Sequence, residues 1–319
     1  MNAADPGDSR RRPAQARGPS VGLVLGSGSA RGWAHIGVIR GLAEEGIVPD
    51  AVCGCSIGAF VGAAYANGDF GKLESWALSL AWQDVLSLLD VSLKGGLIKG
   101  ERLIQFFEKH FVDRDFSSLP VPFACVATDL ESGREVWLRE GSVAEGVRAS
   151  IALPGLFTPV PRGAGYLVDG GLVNPVPVSL CRAMGADTVI AVDLNADLLG
   201  RHLKPKPAKA PRQRVTAEEP ETLTDSVMAR IQASMAQLGI NHDTGTQAPA
   251  MLDVLATSIN IMQVLITRSR LAGEPADVMV TPLLADLGLM EFHRGSAAID
   301  AGRRAVEVIM PQLQGRLNG

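Results

Sequence analysis

Between the apolar run Ala51–Val52–Cys53 and the small-residue stretch Ile57–Ala66 stands the pentapeptide Gly54–Cys55–Ser56–Ile57–Gly58. The first run suits a strand and the second a buried helix, so the two glycines must turn the chain sharply from one to the other. Such a turn leaves Ser56 at its tip, with its hydroxyl exposed beside the helix N-terminus. Ala51–Gly68 carries no charged residue and has almost the length of a membrane span. Gly54, Ser56, Gly58, Gly62 and Asn67 make it far less apolar than a spanning helix, and strand–turn–helix is the better reading.

A strand that feeds a helix in this way needs a sheet to belong to, and the chain supplies one. Val21–Leu25 and Thr188–Leu194 are short apolar runs, as expected of strands covered on both faces. The first leads through Gly26–Gly32 into a helical pattern over Trp33–Glu45, closed by Gly46. Residues 69–112 read as mainly helical. Pro122–Thr128 and Glu135–Leu138 read as a hairpin turning at Asp129–Gly133. Ser142–Ser150 and Pro177–Met184 read as helices, Tyr166–Val168 and Asp277–Thr281 as strands, and Ser296–Gln312 as a terminal helix. The pattern predicts an α/β fold, three-layer α/β/α with a mostly parallel central sheet and at least one antiparallel pair.

Composition limits the rest. With 46% apolar and 20% charged residues among 319, the chain is expected to fold as a soluble protein without disulfide support. Its net charge of −4 and 5% aromatics give no footprint for nucleic acid. Residues 1–19, with Arg10, Arg11, Arg12 and Arg17, read as a disordered basic tail without an export signal. A catalytic domain is expected over 20–195 and a flexible Pro/Lys-rich loop over 196–222. A helical C-terminal part over 223–319 is expected to pack on the same domain. Its helices are placed at Leu223–Leu238 and Met251–Arg268, the latter with Leu252, Leu255, Ile259, Met262, Gln263 and Ile266 as a core-facing stripe. Cys53, Cys55, Cys125 and Cys181 have no zinc spacing and read as small reduced core residues.

Three loops carry the chemistry. Ser56 in its elbow is a candidate nucleophile, next to helix amides that favour developing negative charge. Gly26–Ser27–Gly28–Ser29–Ala30–Arg31–Gly32 is an anion cradle with two readings. One is a dinucleotide site with Asp50 on the ribose, but its G-x-G-x-x-x-G spacing is one residue too long and Asp50 precedes its strand. The other, an oxyanion hole facing Ser56, fits better because both loops follow parallel strands and share one sheet edge. Asp169–Gly170–Gly171 is a turn at the carboxyl end of a third strand, from which Asp169 can approach Ser56. None of the five histidines has telling neighbours, and His35 reads as a packing or capping residue. A Ser-His-Asp enzyme would lack its base.

VLGSGSARGWAHIGVIRGLAEEGIVPDAVCGCSIGAFVGAAYA, ASIALPGLFTPV (149–160) and YLVDGGLVNPVPV (166–178) together resemble the patatin-like phospholipases. Within them, the bacterial branch related to neuropathy target esterase is the most similar. The resemblance covers about residues 20–195 and implies a Ser–Asp dyad that needs no histidine. By position it assigns Ser56 as nucleophile and Asp169 as proton acceptor, with Gly28 and Ser29 amides and nearby Arg31 forming the oxyanion hole. Gly26, Ser27, Ala30, Gly32, Gly54, Gly58, Gly170 and Gly171 complete the motifs. Serines 27 and 29 stand where the family commonly has glycine. Serine is tolerable there if the backbone angles are not glycine-only. The resemblance implies a lipid ester substrate, no metal or organic cofactor, and transient contact with a membrane surface. The expected location is the cytoplasm, at the inner face of the membrane during that contact. A catalytically silent scaffold and a nucleotide-binding module are the alternatives, and the oligomeric state is left open.

Overall fold

The structure, a computed structural model, describes residues 20–88, 99–198 and 251–317. The expected tail (1–19) and the expected helix Leu223–Leu238 lie outside the described residues, as does most of the expected loop. The chain divides into two compact units, Met1–Arg201 with Ser258–Gly319, and His202–Thr257.

Eight strands form one sheet: β1 (Val21–Leu25), β2 (Ala51–Cys55), β3 (Phe123–Asp129), β4 (Glu135–Leu138), β5 (Val160–Arg162), β6 (Gly165–Asp169), β7 (Thr188–Val192) and β8 (Val278–Val280). β3, β2, β1, β7 and β8 pair in that order and run parallel. β4 and β6 both pair antiparallel with β3, and β5 pairs antiparallel with β6. The sheet is mixed and mostly parallel.

Strand alternation splits the core between two faces. Leu23, Leu25, Val52, Phe123, Cys125, Ile190 and Val192 point to one side. There they meet α1 (Ala34–Glu44), α2 (Ile57–Asn67), α3 (Phe70–Ser79), α5 (Glu101–His110), α6 (Val143–Ser150) and α9 (Gly295–Leu317). α4 (Trp82–Leu88) follows α3 on the chain. Val24, Cys53, Ala124, Val126, Val189 and Ala191 point to the other side, where α7 (Val178–Ala183) and the end of α8 (Met251–Gly273) cover them. All four cysteines are buried and unbridged.

Three differences from the sequence reading matter. The stripe expected on α8 holds only in part: Gln263 is buried as expected, but Met262 is exposed, Ile259 and Ile266 are half-buried, Val264 and Thr267 are buried instead, and the side chains of Leu252 and Leu255 lie outside the described residues. Its inner face is mixed: Val264 is buried beside Gln263, whose amide oxygen accepts from Ser27 of the glycine loop. Ala196–Leu198, expected to begin the flexible loop, are anchored: Asp197 Oδ2 accepts the amides of Leu284 and Ala285, and Leu198 is buried.

The third difference positions the site. Cys125 and Val126 pair with β2 on one edge and with β4 on the other. Ala127 and Thr128 keep β4 as partner, so β6 takes the edge that β2 has vacated. β2 ends at Cys55 opposite Val126, and β6 ends at Asp169 opposite Ala127. The two strands arrive from opposite directions along one edge of β3 and stop facing each other. Asp169 therefore reaches the carboxyl edge of the parallel strands by coming in from beyond it, and not by following a parallel strand.

Candidate active site

Ser56 sits at φ 56°, ψ −122°, a left-handed conformation that an L residue holds only when its surroundings impose it. The glycines on either side show how it is imposed. A Cβ on Gly54 would lie 2.4 Å from the Gly58 carbonyl oxygen, and one on Gly58 would lie 2.0 Å from that of Leu25. Only glycines let the first turn of α2 lie directly on β1 and β2. The Ser56 amide donates to Ser150 Oγ (2.9 Å), which donates to the Val126 carbonyl (2.7 Å), so the elbow is tied to β3.

The Ser56 hydroxyl donates to Asp169 Oδ2 at 2.7 Å. Asp169 is 1% exposed, and its other oxygen accepts the Gly171 amide at 2.7 Å. Its backbone is held on both sides: the amide donates to Ala152 O (3.0 Å), and the carbonyl accepts Thr128 Oγ1 (2.8 Å). Both carboxylate oxygens and both main-chain groups are hydrogen-bonded, which holds the side chain facing Ser56. Burial raises its pKa to about 6, against the pull of the Ser56 hydroxyl and the Gly171 amide. At neutral pH the group is an anion with strengthened basicity.

The glycine loop runs along the same edge, after β1. Its amides are spoken for at Gly26 (to Val192 O), Ser27 (to Pro175 O), Ala30 (to Leu289 O) and Arg31 (to Gly28 O). Among the described residues, those of Gly28 and Ser29 donate to nothing. Ser29 stands at φ 53°, a conformation that favours glycine. Its hydroxyl offsets part of that strain by donating to Leu289 O at 2.6 Å. Gly32 lies in the 3-10 turn Ser29–Trp33 that follows.

Arg31 braces this loop from behind. Arg31 is 2% exposed, and its guanidinium donates through Nε to Gly28 O (3.2 Å) and through a terminal nitrogen to Asn260 Oδ1 (3.1 Å). Burial lowers its pKa to about 10, opposed by Asp197 and Asp193, so it stays a cation. His35 is fully buried, its Nε2 is 2.8 Å from Gly26 O, and burial lowers its pKa to about 4. A neutral ring must donate from Nε2 to that carbonyl; the residue packs and braces, as expected. Asp50 accepts the Val21 amide at the start of β1, the edge opposite the glycine loop, where no ribose held by that loop could reach it. Among the described residues, no three His, Cys, Asp or Glu side chains are grouped to hold a metal ion.

Several bracing residues were not read from the sequence as part of the site. Ser150 and Ala152 fall inside the segment 149–160, whose likeness to a family motif was the available signal. Gln263 had a weaker one: a polar residue on a buried helix stripe needs a hydrogen-bond partner. Asn195 and Leu289 had none.

A family model described as patatin-like phospholipase matches residues 23–182. The chain belongs to that family. An uncharacterized NTE family protein of Mycobacterium tuberculosis is 32% identical over 328 aligned positions, covering 89% of each chain. Patatin-like phospholipase domain-containing protein 6 of Mus musculus is 36% identical over 188 residues, 56% of this chain and 14% of the mouse protein. Among solved structures, VipD from Legionella pneumophila aligns with a TM-score of 0.40 and 15% identity, over 93% of this chain and 67% of that one. Among the described residues, no helix is long and apolar enough to cross a membrane.

Proposed function

We propose that the protein is a serine acyl-ester hydrolase acting on lipids, of the phospholipase A or lysophospholipase type, through a Ser56–Asp169 dyad. The observation that carries this reading is the 2.7 Å hydrogen bond from Ser56 Oγ to a buried carboxylate, beside two amides without partners among the described residues. Asp169 accepts the Ser56 proton as Oγ attacks the ester carbonyl. The carbonyl oxygen becomes an alkoxide held by the Gly28 and Ser29 amides, each worth about 3 kcal/mol to such a transition state. Collapse of the tetrahedral intermediate expels the alcohol, which takes the proton from Asp169. Water then attacks the acyl-enzyme, giving its proton to Asp169, and the fatty acid leaves as the Ser56 hydroxyl reforms. Arg31 serves this sequence by fixing the Gly28 peptide and by placing a positive charge near the oxyanion.

The family's name gives lipid esters as the general substrate class, and contact with a lipid surface is transient in this reading. The test is hydrolysis of phospholipids, lysophospholipids and neutral esters by wild type and Ser56→Ala, with fluorophosphonate labelling in parallel. We expect turnover and labelling in the wild type, and neither in Ser56→Ala at an unchanged melting temperature. Full esterase activity in Ser56→Ala refutes the dyad. An unreactive wild type indicates a silent scaffold, and thermal stabilisation by nucleotide without hydrolysis indicates a binding module.

A further inference from the structure

We infer that Gln263 is a positioning residue of this site, holding Ser27 of the glycine loop against the Gly170–Gly171 turn beside Asp169. The inference rests on the dyad reading and extends it to a helix beyond the stretch that the family model matches, residues 23–182.

Gln263 is 6% exposed and lies on the inner face of α8. Its Oε1 accepts two hydrogen bonds, from Ser27 Oγ at 2.9 Å and from Asn195 Nδ2 at 3.3 Å. The orientation of the amide follows from its neighbours. Asn195 Nδ2 also lies 3.2 Å from the Ser27 carbonyl, which can only accept, so the Asn195 nitrogen is placed there. The Gln263 atom facing that nitrogen must then be its oxygen. Its Nε2 is thereby directed toward the turn that follows Asp169. A Cβ placed on Gly171 would lie 2.3 Å from Gln263 Nε2 and 2.9 Å from Asp169 Oδ1, so the Gln263 amide occupies the space where a side chain at 171 would stand.

One side chain thus touches both halves of the machinery. Ser27 precedes Gly28, whose amide is one of the two oxyanion donors proposed here, so a shift of Ser27 is passed directly to that N–H. Gly171 donates to Asp169 Oδ1, so a shift of its peptide turns the carboxylate away from Ser56. The same helix grips both halves again on either side of Gln263. Asn260 accepts from Arg31, and Arg270 donates to the carbonyl of Val173 while pairing with Glu135. Misplacing a reacting group by about 1 Å can cost roughly 100-fold in rate, and that is the scale on which a lost tie should register.

The test compares Gln263→Leu, Ser27→Ala and the double variant, using full-length protein and a short-chain p-nitrophenyl ester. We expect Gln263→Leu to lower kcat roughly 10–100-fold with KM nearly unchanged, and to slow fluorophosphonate labelling of Ser56 by the same factor. The double variant should be no slower than the poorer single one, because both remove the same tie. Gln263→Glu keeps the acceptor oxygens and should recover most of the lost kcat above neutral pH. Its added negative charge should move the acid limb of the pH profile upward. Hydrogen exchange should quicken in residues 26–33 and 169–173 of Gln263→Leu; this readout needs no substrate, so it decides the matter even if no lipid ester is hydrolysed. Wild-type kcat, labelling and exchange in Gln263→Leu overturn the inference, as do fully additive losses in the double variant.

Discussion

The most informative single perturbation is Asp169→Asn, because it separates the role of the carboxylate in the reaction from its burden on the fold. An ordinary aspartate ionises near 3.8, and burial holds this one at about 6. Above pH 6 the folded protein therefore carries an anion that the unfolded chain accommodates more easily. The difference amounts to about 3 kcal/mol. The sign follows from the protons bound. Below pH 4 both states hold Asp169 neutral; between pH 4 and 6 only the folded state keeps the proton; so stability falls as pH rises through that window. Asparagine never ionises, and its oxygen can still accept the Gly171 amide. Asp169→Asn should therefore melt about 6 °C above the wild type at pH 8, taking about 2 °C per kcal/mol for a chain of this length. The advantage should vanish near pH 4, while ester hydrolysis falls by roughly 10³-fold or more. Thermal unfolding followed by circular dichroism at the two pH values, with a p-nitrophenyl ester assay, reads both effects. An Asp169→Asn variant no more stable at pH 8 than at pH 4, relative to wild type, would refute the claim that a buried charge is held there against its surroundings.

Two further outcomes follow from the same geometry. The kcat/KM of the wild type for a neutral ester should fall tenfold per pH unit below about 6, because Asp169 must be ionised to take the Ser56 proton; a limb near pH 4 would contradict this assignment. Gly58→Ala drives a methyl to 2.0 Å from the Leu25 carbonyl oxygen and should lower the melting temperature by more than about 5 °C, whereas Gly71→Ala on α3 meets nothing within 4 Å and should leave it unchanged or raised.

β1, β2 and β7 of the parallel core were legible because each is a short apolar run buried on both faces and bounded by polar, proline or glycine residues. The β3–β4 hairpin was legible from its turn residues. β5 was not: Val160–Pro161–Arg162 is three residues long with a proline at its centre, which reads as loop. Nor was the direction of β6, since alternation reports which face a residue occupies and not which way the strand runs. Ser56, Asp169 and the glycine loop stood out because turns and elbows restrict residue type locally. Gln263 and Asn195 hydrogen-bond Ser27 of the glycine loop from far along the chain, where a single polar residue leaves no local pattern. The helical stripe on α8 was partly misplaced for a related reason. Apolarity alone does not mark the inward face where a hydrogen-bonding loop is one of the inner neighbours, and Gln263 sits there beside Val264.

Because β2 and β6 halt opposite adjacent residues of β3, that middle strand acts as a ruler for a pair of groups 113 positions apart. The gap between nucleophile and base is one residue step along a backbone that donates no reacting atom. Segments joining the strands can grow or shrink without altering it, whereas a single residue inserted between Val126 and Ala127 would prise the pair apart. Sequence drift in such a protein should thus be freest in its connecting helices and strictest in the spacing of a strand that performs no chemistry.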